Sequence, residues 1–205
     1  MTKTEVINLH LSHIGNTNAI ADVTEASEEA RISNRWFDVA HEELLSKRYW
    51  KFGRKTRALA LVEENPTTEW LYSYRSPSDC VIPRRIPTSS VTGSALFDEK
   101  YILPEVPFDM SFDDDGLLIY TNAQDASLEY TARVPITLCP IYYCIALSYL
   151  MATYTFESLS KGDMMGSGGK LLAKYENKLD EASAKDENQV VPQKTNESAL
   201  SMARK

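Results

Sequence analysis

The chain has 205 residues, 43% of them hydrophobic, enough for one domain with an insertion or for two small ones. A formal net charge of −7 argues against general nucleic-acid binding, because affinity for a phosphate backbone comes mainly from clustered Lys and Arg. The start, MTKTEVINLH, has no apolar leader, and the longest apolar stretch, LCPIYYCIALSYLM, falls short of the roughly 20 residues of a membrane span; a soluble, non-secreted protein with no membrane partner is expected.

Thr4 to Ile14 reads as a first helix with Val6, Leu9, Leu11 and Ile14 on its apolar side, and Gly15 offers a left-handed stop. In the second, Thr24 is the expected N-cap. Glu25, Glu28 and Glu29 suit the positive end of the dipole, and Ala26, Ala30, Phe37, Ala40 and Leu44 recur at helical spacing. After Tyr49 the period changes to short β segments, RALALV, WLYSYR, YILPEV, GLLIY and SLEYTARV, separated by turn residues. Trp70, Tyr72 and Tyr74 alternate along one face and are expected to anchor this β region against the helices. GLLIYTNAQDASLEYTARV reads as a hairpin turning at Asn122 to Ser127. From Thr137 to Leu159 a helix follows that is apolar nearly all round, from Leu138 and Ile141 to Tyr154 and Phe156, with Pro140 tolerable only in its first turn. The connector KGDMMGSGGK leads to a fourth helix whose inner stripe is expected at Leu172, Tyr175, Leu179 and Ala182, with Lys170, Lys174 and Lys178 on another face.

The expected fold is therefore α+β: a helical bundle built from N- and C-terminal helices, with an inserted small β-rich region and an extended C-terminal tail. Its parts are residues 1–48, the β-rich insertion 49–135, the second helical part 136–188, and a polar tail 189–205 that has too little apolar surface to fold alone.

The motifs that could carry chemistry are incomplete. GDMMGSGGK puts Met164 where a P-loop needs its first Gly and Leu171 where it needs a hydroxyl, with a helix upstream. SFDDDG places Ser111 and Asn122 on two ligand positions of a calcium loop and reads better as a solvated turn. His10 and His13 could share a helical face, but no HExxH pattern and no Cys at ligand spacing joins them. Cys80, in SPSDCVIP, has no histidine near it in sequence and fits a small apolar residue opening a strand. Arg84 and Arg85 could pair with a neighbour's carboxylates or stand in solvent. The three cysteines, Cys80, Cys139 and Cys144, are expected as free thiols. No catalytic, cofactor-binding or metal-binding residue is expected, and no cofactor. The competing readings are a cysteine- or metal-dependent hydrolase, through Cys80 or the His10 and His13 pair, and a monomeric interaction module.

One resemblance adds to this. A first helix ending in HIG, then FDVAHEELLSKRYWKFGRKTRALAL, WLYSYRSPSDCV, and LLIYTNAQDASLEYTARV before an apolar helix resemble, in that order over roughly residues 4 to 182, the head-to-tail adaptor (tail tubular protein A-like) family of short-tailed bacteriophages. The entry VPITLCP departs from it by lacking acidic and aromatic residues. The resemblance implies a structural virion protein, not an enzyme: a dodecameric ring between the portal protein and the tail nozzle protein. Genomic DNA would pass through without specific binding, and the ring would sit in the virion neck after assembly in the host cytoplasm. It implies that Cys80 is architectural and that the tail docks on the portal, with Leu200 and Met202 as apolar anchors and Arg204 and Lys205 as charge partners.

Overall fold

A computed structural model describes residues 1–87, 106–160 and 167–189. Helix α1 spans Lys3–His13 and opens with a reciprocal cap, in which Glu5 N donates to Thr2 Oγ1 at 3.2 Å and Thr2 N donates to Glu5 Oε2 at 2.7 Å. It ends at Ile14, and Gly15 follows at φ +76°, a conformation that favours glycine. The Asn8 side chain then clamps the backbone of Ile20 from both sides, at 3.0 and 2.9 Å, folding the connecting loop back onto α1. Helix α2 spans Glu28–Lys47 and is capped by Ser27, not by Thr24. The reason is local: the Thr24 amide and hydroxyl both donate to Asp22, closing a turn before the helix begins.

Helix α3 spans Ile141–Ser160, directly after Pro140, whose carbonyl accepts from Cys144 N. Helix α4 spans Gly169–Glu187 and buries Leu171, Tyr175, Leu179, Ala182 and Asp186. The inner row thus starts one residue before the expected Leu172, which is 49% exposed. Helices α1, α2 and α4 all pack on α3 and hardly on one another.

Seven strands follow two antiparallel ladders. β1 (Arg54–Ala58), β7 (Ser127–Ala132) and β4 (Cys80–Arg85) make a three-stranded sheet in the order β1-β7-β4. β2 (Ala60–Glu64), β3 (Tyr72–Arg75), β6 (Gly116–Thr121) and β5 (Phe108–Asp113) make a four-stranded sheet in the order β2-β3-β6-β5. These strands enclose a core of their own, with Tyr74, Ile86, Ile119, Leu128 and Tyr130 at its centre.

Three expectations are corrected here. The helical bundle with a small insert is not what forms: four helices share the described residues with seven strands in two sheets, 47% helical and 24% strand. Because α3 is apolar around most of its circumference, its neighbours spread around it instead of closing on each other. The hairpin expected at Asn122 to Ser127 is absent, since β6 and β7 belong to different sheets and that turn, with Asp125 at φ +52°, carries the chain across. The hairpin is β5–β6, turned at Asp113 to Gly116, where Gly116 takes φ +127°. Trp70, Tyr72 and Tyr74 do not anchor the strands on the helices: Tyr74 is buried within the β core, Tyr72 packs partly against that core, and Trp70 is half-buried ahead of β3. The YILPEV segment, except for Val106, lies outside the described residues, as does the tail beyond Gln189.

The aromatic anchor is Trp50. Its indole Nε1 donates to the Leu44 carbonyl at 2.7 Å, and its ring meets Tyr143 edge-on at 5.3 Å within the helical core. Trp50→Ala is expected to cost about 3 to 5 kcal/mol, the usual range for a fully buried aromatic. Trp70→Ala should cost less than half as much; urea denaturation of both variants checks the order.

Candidate functional site

Residues singled out by the sequence do not converge. Cys80 opens β4 half-buried, and burial pushes its thiol up while Arg84 only partly opposes this. The carboxylate beside it, Asp79, is committed to Lys55 Nζ at 2.7 Å and to the Tyr130 hydroxyl at 2.8 Å. A thiol in this setting is held protonated, the opposite of an activated nucleophile.

His10 and His13 leave α1 toward different partners. His10 is fully buried, with Nε2 3.4 Å from Ser33 Oγ on α2 and Nδ1 without a hydrogen bond. Burial pulls its pKa down to about 4, partly offset by the Ile7 carbonyl. His13 stacks on Tyr149 at 3.8 Å, and Nε2 lies 3.1 Å from Ser148 Oγ. Ser148 already donates to the Ile145 carbonyl, so His13 Nε2 is the donor. Among the described residues no group of three or more His, Cys, Asp and Glu is placed to hold a metal. The run after Ser111 forms the β5–β6 turn, where Arg75 grips Asp113 through two bonds of 2.6 and 2.7 Å and holds its carboxyl down at about 2.

Polar side chains do converge at the seam between the helical and β halves. His41 Nε2 stands 2.8 Å from the Val134 carbonyl and so carries the proton, leaving Nδ1 to accept from the Tyr143 hydroxyl at 2.9 Å. Arg84 reaches from β4 to the end of α2, donating to the carbonyls of Ser46 and Arg48 at 3.1 and 2.7 Å and to Thr131 Oγ1 at 3.0 Å. Arg85 pairs with Glu129 of the same chain at 2.9 Å, and Tyr49 donates to that carboxylate as well. Asp186, buried at the end of α4, accepts from the Lys51 amide and from the Tyr142 hydroxyl. Every group here is paired to another group of the chain, which makes the seam a fastening and leaves no reacting position open.

The open surfaces lie elsewhere. A cleft of about 300 Å³ separates the end of α1 from the first turns of α4; Ile14, Phe156 and Leu171 supply apolar walls, and His13, Lys170 and Lys174 supply polar ones. On the β half, Met110 and Phe112 project from the same face of edge strand β5, 53% and 83% exposed. At the entry to α3, Leu138 and Ile141 are 72% and 66% exposed. No helix of the described residues is long and apolar enough to cross a membrane. No family model matches the chain, and no curated protein matches it.

Two outcomes test this account of the site. In the folded state His10 binds a proton only near pH 4, against about 6.5 when unfolded, so the unfolded chain holds more protons between those values and stability must fall as pH drops through them. The loss should be on the order of 3 kcal/mol and should shrink in His10→Gln, as read from urea midpoints between pH 7 and pH 4. Cys80→Ala should cost less than about 1 kcal/mol in urea denaturation, because the thiol is half-buried and makes no activated contact. A loss of several kcal/mol in Cys80→Ala would contradict that.

Proposed function

We propose that this chain is a structural subunit, the head-to-tail adaptor of a short-tailed bacteriophage, repeated in a closed ring that joins portal to tail nozzle around the DNA path. The carrying observation is the placement of large exposed apolar side chains in pairs on both halves: Leu138 with Ile141 at the entry to α3, and Met110 with Phe112 on β5. A ring subunit must meet two neighbours through different surfaces and further partners along the axis, and paired apolar exposure on separate faces suits that demand. The net charge of −7 suits it too, since an acidic subunit repeated around a channel repels DNA and avoids the drag of a basic wall. Portal and nozzle as the partners, and twelve as the copy number, rest on the resemblance of the sequence segments.

Residues 190–205 are the proposed portal-docking segment. Lys194, Arg204 and Lys205 against Glu197 give it +2 on an acidic protein, and Leu200 and Met202 supply apolar anchors. Its removal should spare the fold, because the last fastening of α4, Asp186 to the Lys51 amide and Lys51 Nζ to the Glu187 carbonyl at 2.7 Å, lies before it. Deleting 190–205 is expected to leave the melting temperature within about 2 °C and to abolish most co-sedimentation with portal rings. Native mass spectrometry of the intact protein, alone and on portal, should show a dodecamer; a monomer in both settings would refute the ring.

A further inference from the structure

The most exposed large apolar side chain of the described residues, Phe112, sits beside an acidic tip, and the cleft between α1 and α4 has the complementary chemistry. We infer that the β5–β6 hairpin tip of one copy inserts into the α1–α4 cleft of the next, Phe112 against the apolar walls and Asp114 and Asp115 against Lys170 and Lys174. The occupant is thus a second copy of this chain.

The tip is built to present these groups. Phe112 is the last but one residue of β5, paired with Leu117 across the ladder, so its ring stands at the end of the sheet on the face it shares with Met110. Arg75 grips Asp113 through a bidentate pair and reaches Asp115, 89% exposed, at 4.0 Å, the limit of an ion pair, while Asp114 has no ion-pair partner among the described residues.

The cleft mirrors that arrangement. Lys170 and Lys174 are four apart on the first turns of α4 and share a helical face, and neither has an ion-pair partner among the described residues. Ile14, Phe156 and Leu171 line the space between, and about 300 Å³ accommodates one aromatic side chain. Two exposed carboxylates thus match two unpaired ammonium groups in charge, with an aromatic ring for the hollow beside them. Charges at the rim of such a contact set its orientation and partner choice, while the buried ring supplies affinity.

Tip and cleft lie on different halves of the molecule, so the contact is heterologous. Repeated with closure it makes a ring, and repeated without closure a filament. The tip is an anchor within a larger interface, since one hairpin end covers much less than the ~1,200 Å² or more of a stable contact. The inference rests on the ring reading for closure and copy number; the contact itself stands on the two surfaces.

Sedimentation velocity of the full chain over a concentration series tests it. Wild type should associate beyond a monomer, and Phe112→Ala, the pair Lys170→Glu with Lys174→Glu, and the pair Asp114→Lys with Asp115→Lys should each weaken association at least about tenfold. All these side chains are exposed, so melting temperatures should hold. Combining the four charge reversals in one chain, or mixing the two paired variants, should recover association to within a few-fold. Wild type that stays monomeric, a Phe112→Ala protein that assembles like wild type, or charge reversals that do not rescue each other would overturn the contact. If the cleft instead serves phosphates, Lys170→Glu with Lys174→Glu will lower retention on duplex DNA while Phe112→Ala leaves association intact, which also overturns it. Portal co-sedimentation of the same proteins keeps the two ideas apart. Portal binding retained while self-association ignores these substitutions spares the adaptor reading and removes the contact; self-association through them without portal binding does the reverse.

Discussion

Joining a helical core to a β core leaves the C-terminal carbonyls of α2 without helical partners, at the negative end of its dipole and against a sheet. The Arg84 guanidinium resolves that conflict. It supplies donors to the carbonyls of Ser46 and Arg48, a third to Thr131 Oγ1, and lays its plane 5.2 Å from the Tyr49 ring. Only a planar, always charged fork can reach three acceptors from one strand position. Burial lowers its pKa, but from so high a starting value that the charge persists. Lysine at this place would satisfy fewer carbonyls and could not stack in the same way.

Around that residue polar pairs line the seam beside the apolar contact of Val81 with the helical core. Glu129 is nearly buried and its carboxyl is pushed up by desolvation, yet Arg85, Arg54 and Tyr49 surround it on the same sheet face. Asp186 closes α4 onto the 3-10 turn at Lys51–Gly53, and His41 with Tyr143 ties α2 to α3 and to the strand exit at Val134. Buried ion pairs and hydrogen bonds add less net stability than an apolar seam of the same size, but a misplaced register would leave several of them unpaired at once. Their contribution is therefore to the relative placement of the two cores more than to total stability.

Much of the local architecture was legible in the sequence, and the failures share a cause. α1 and its Gly15 stop, the break of helical period after Tyr49, and β4 opening at Cys80 all follow from signals within a few residues. Which sheet a strand joins does not, so β6 and β7, adjacent and both well formed as strands, looked like partners. Trp70 lies in a strand-like alternation and drew attention, whereas Trp50 sits alone between two patterns and is the buried one. Leu171 and Leu172 are neighbours, and only the packing against α3 selects the first. Of the seam residues only Arg84 and Arg85 drew a reading, and their partners were not legible: Tyr143 likewise meets His41 across 102 positions, and no spacing rule reaches that far. The free surfaces were legible only in fragments, with SFDDDG recognised as a turn but Phe112 unread beside it.

The seam also bears on assembly. A heterologous contact closes into a ring only if its two surfaces hold a fixed rotation relative to each other in every copy; a few degrees of play per subunit accumulate around the circle. The β5–β6 tip belongs to one core and the α1–α4 cleft to the other, so their offset is set by whatever joins the cores. An apolar joint could slide among near-equivalent packings, as ridges shift in grooves. Arg84 of β4 on the carbonyls of Ser46 and Arg48, and Tyr49 on Glu129 of β7, cross between the cores and favour one arrangement, since an alternative would strand these groups. The polar seam, weak as a source of stability, is well suited to keep two distant surfaces in register.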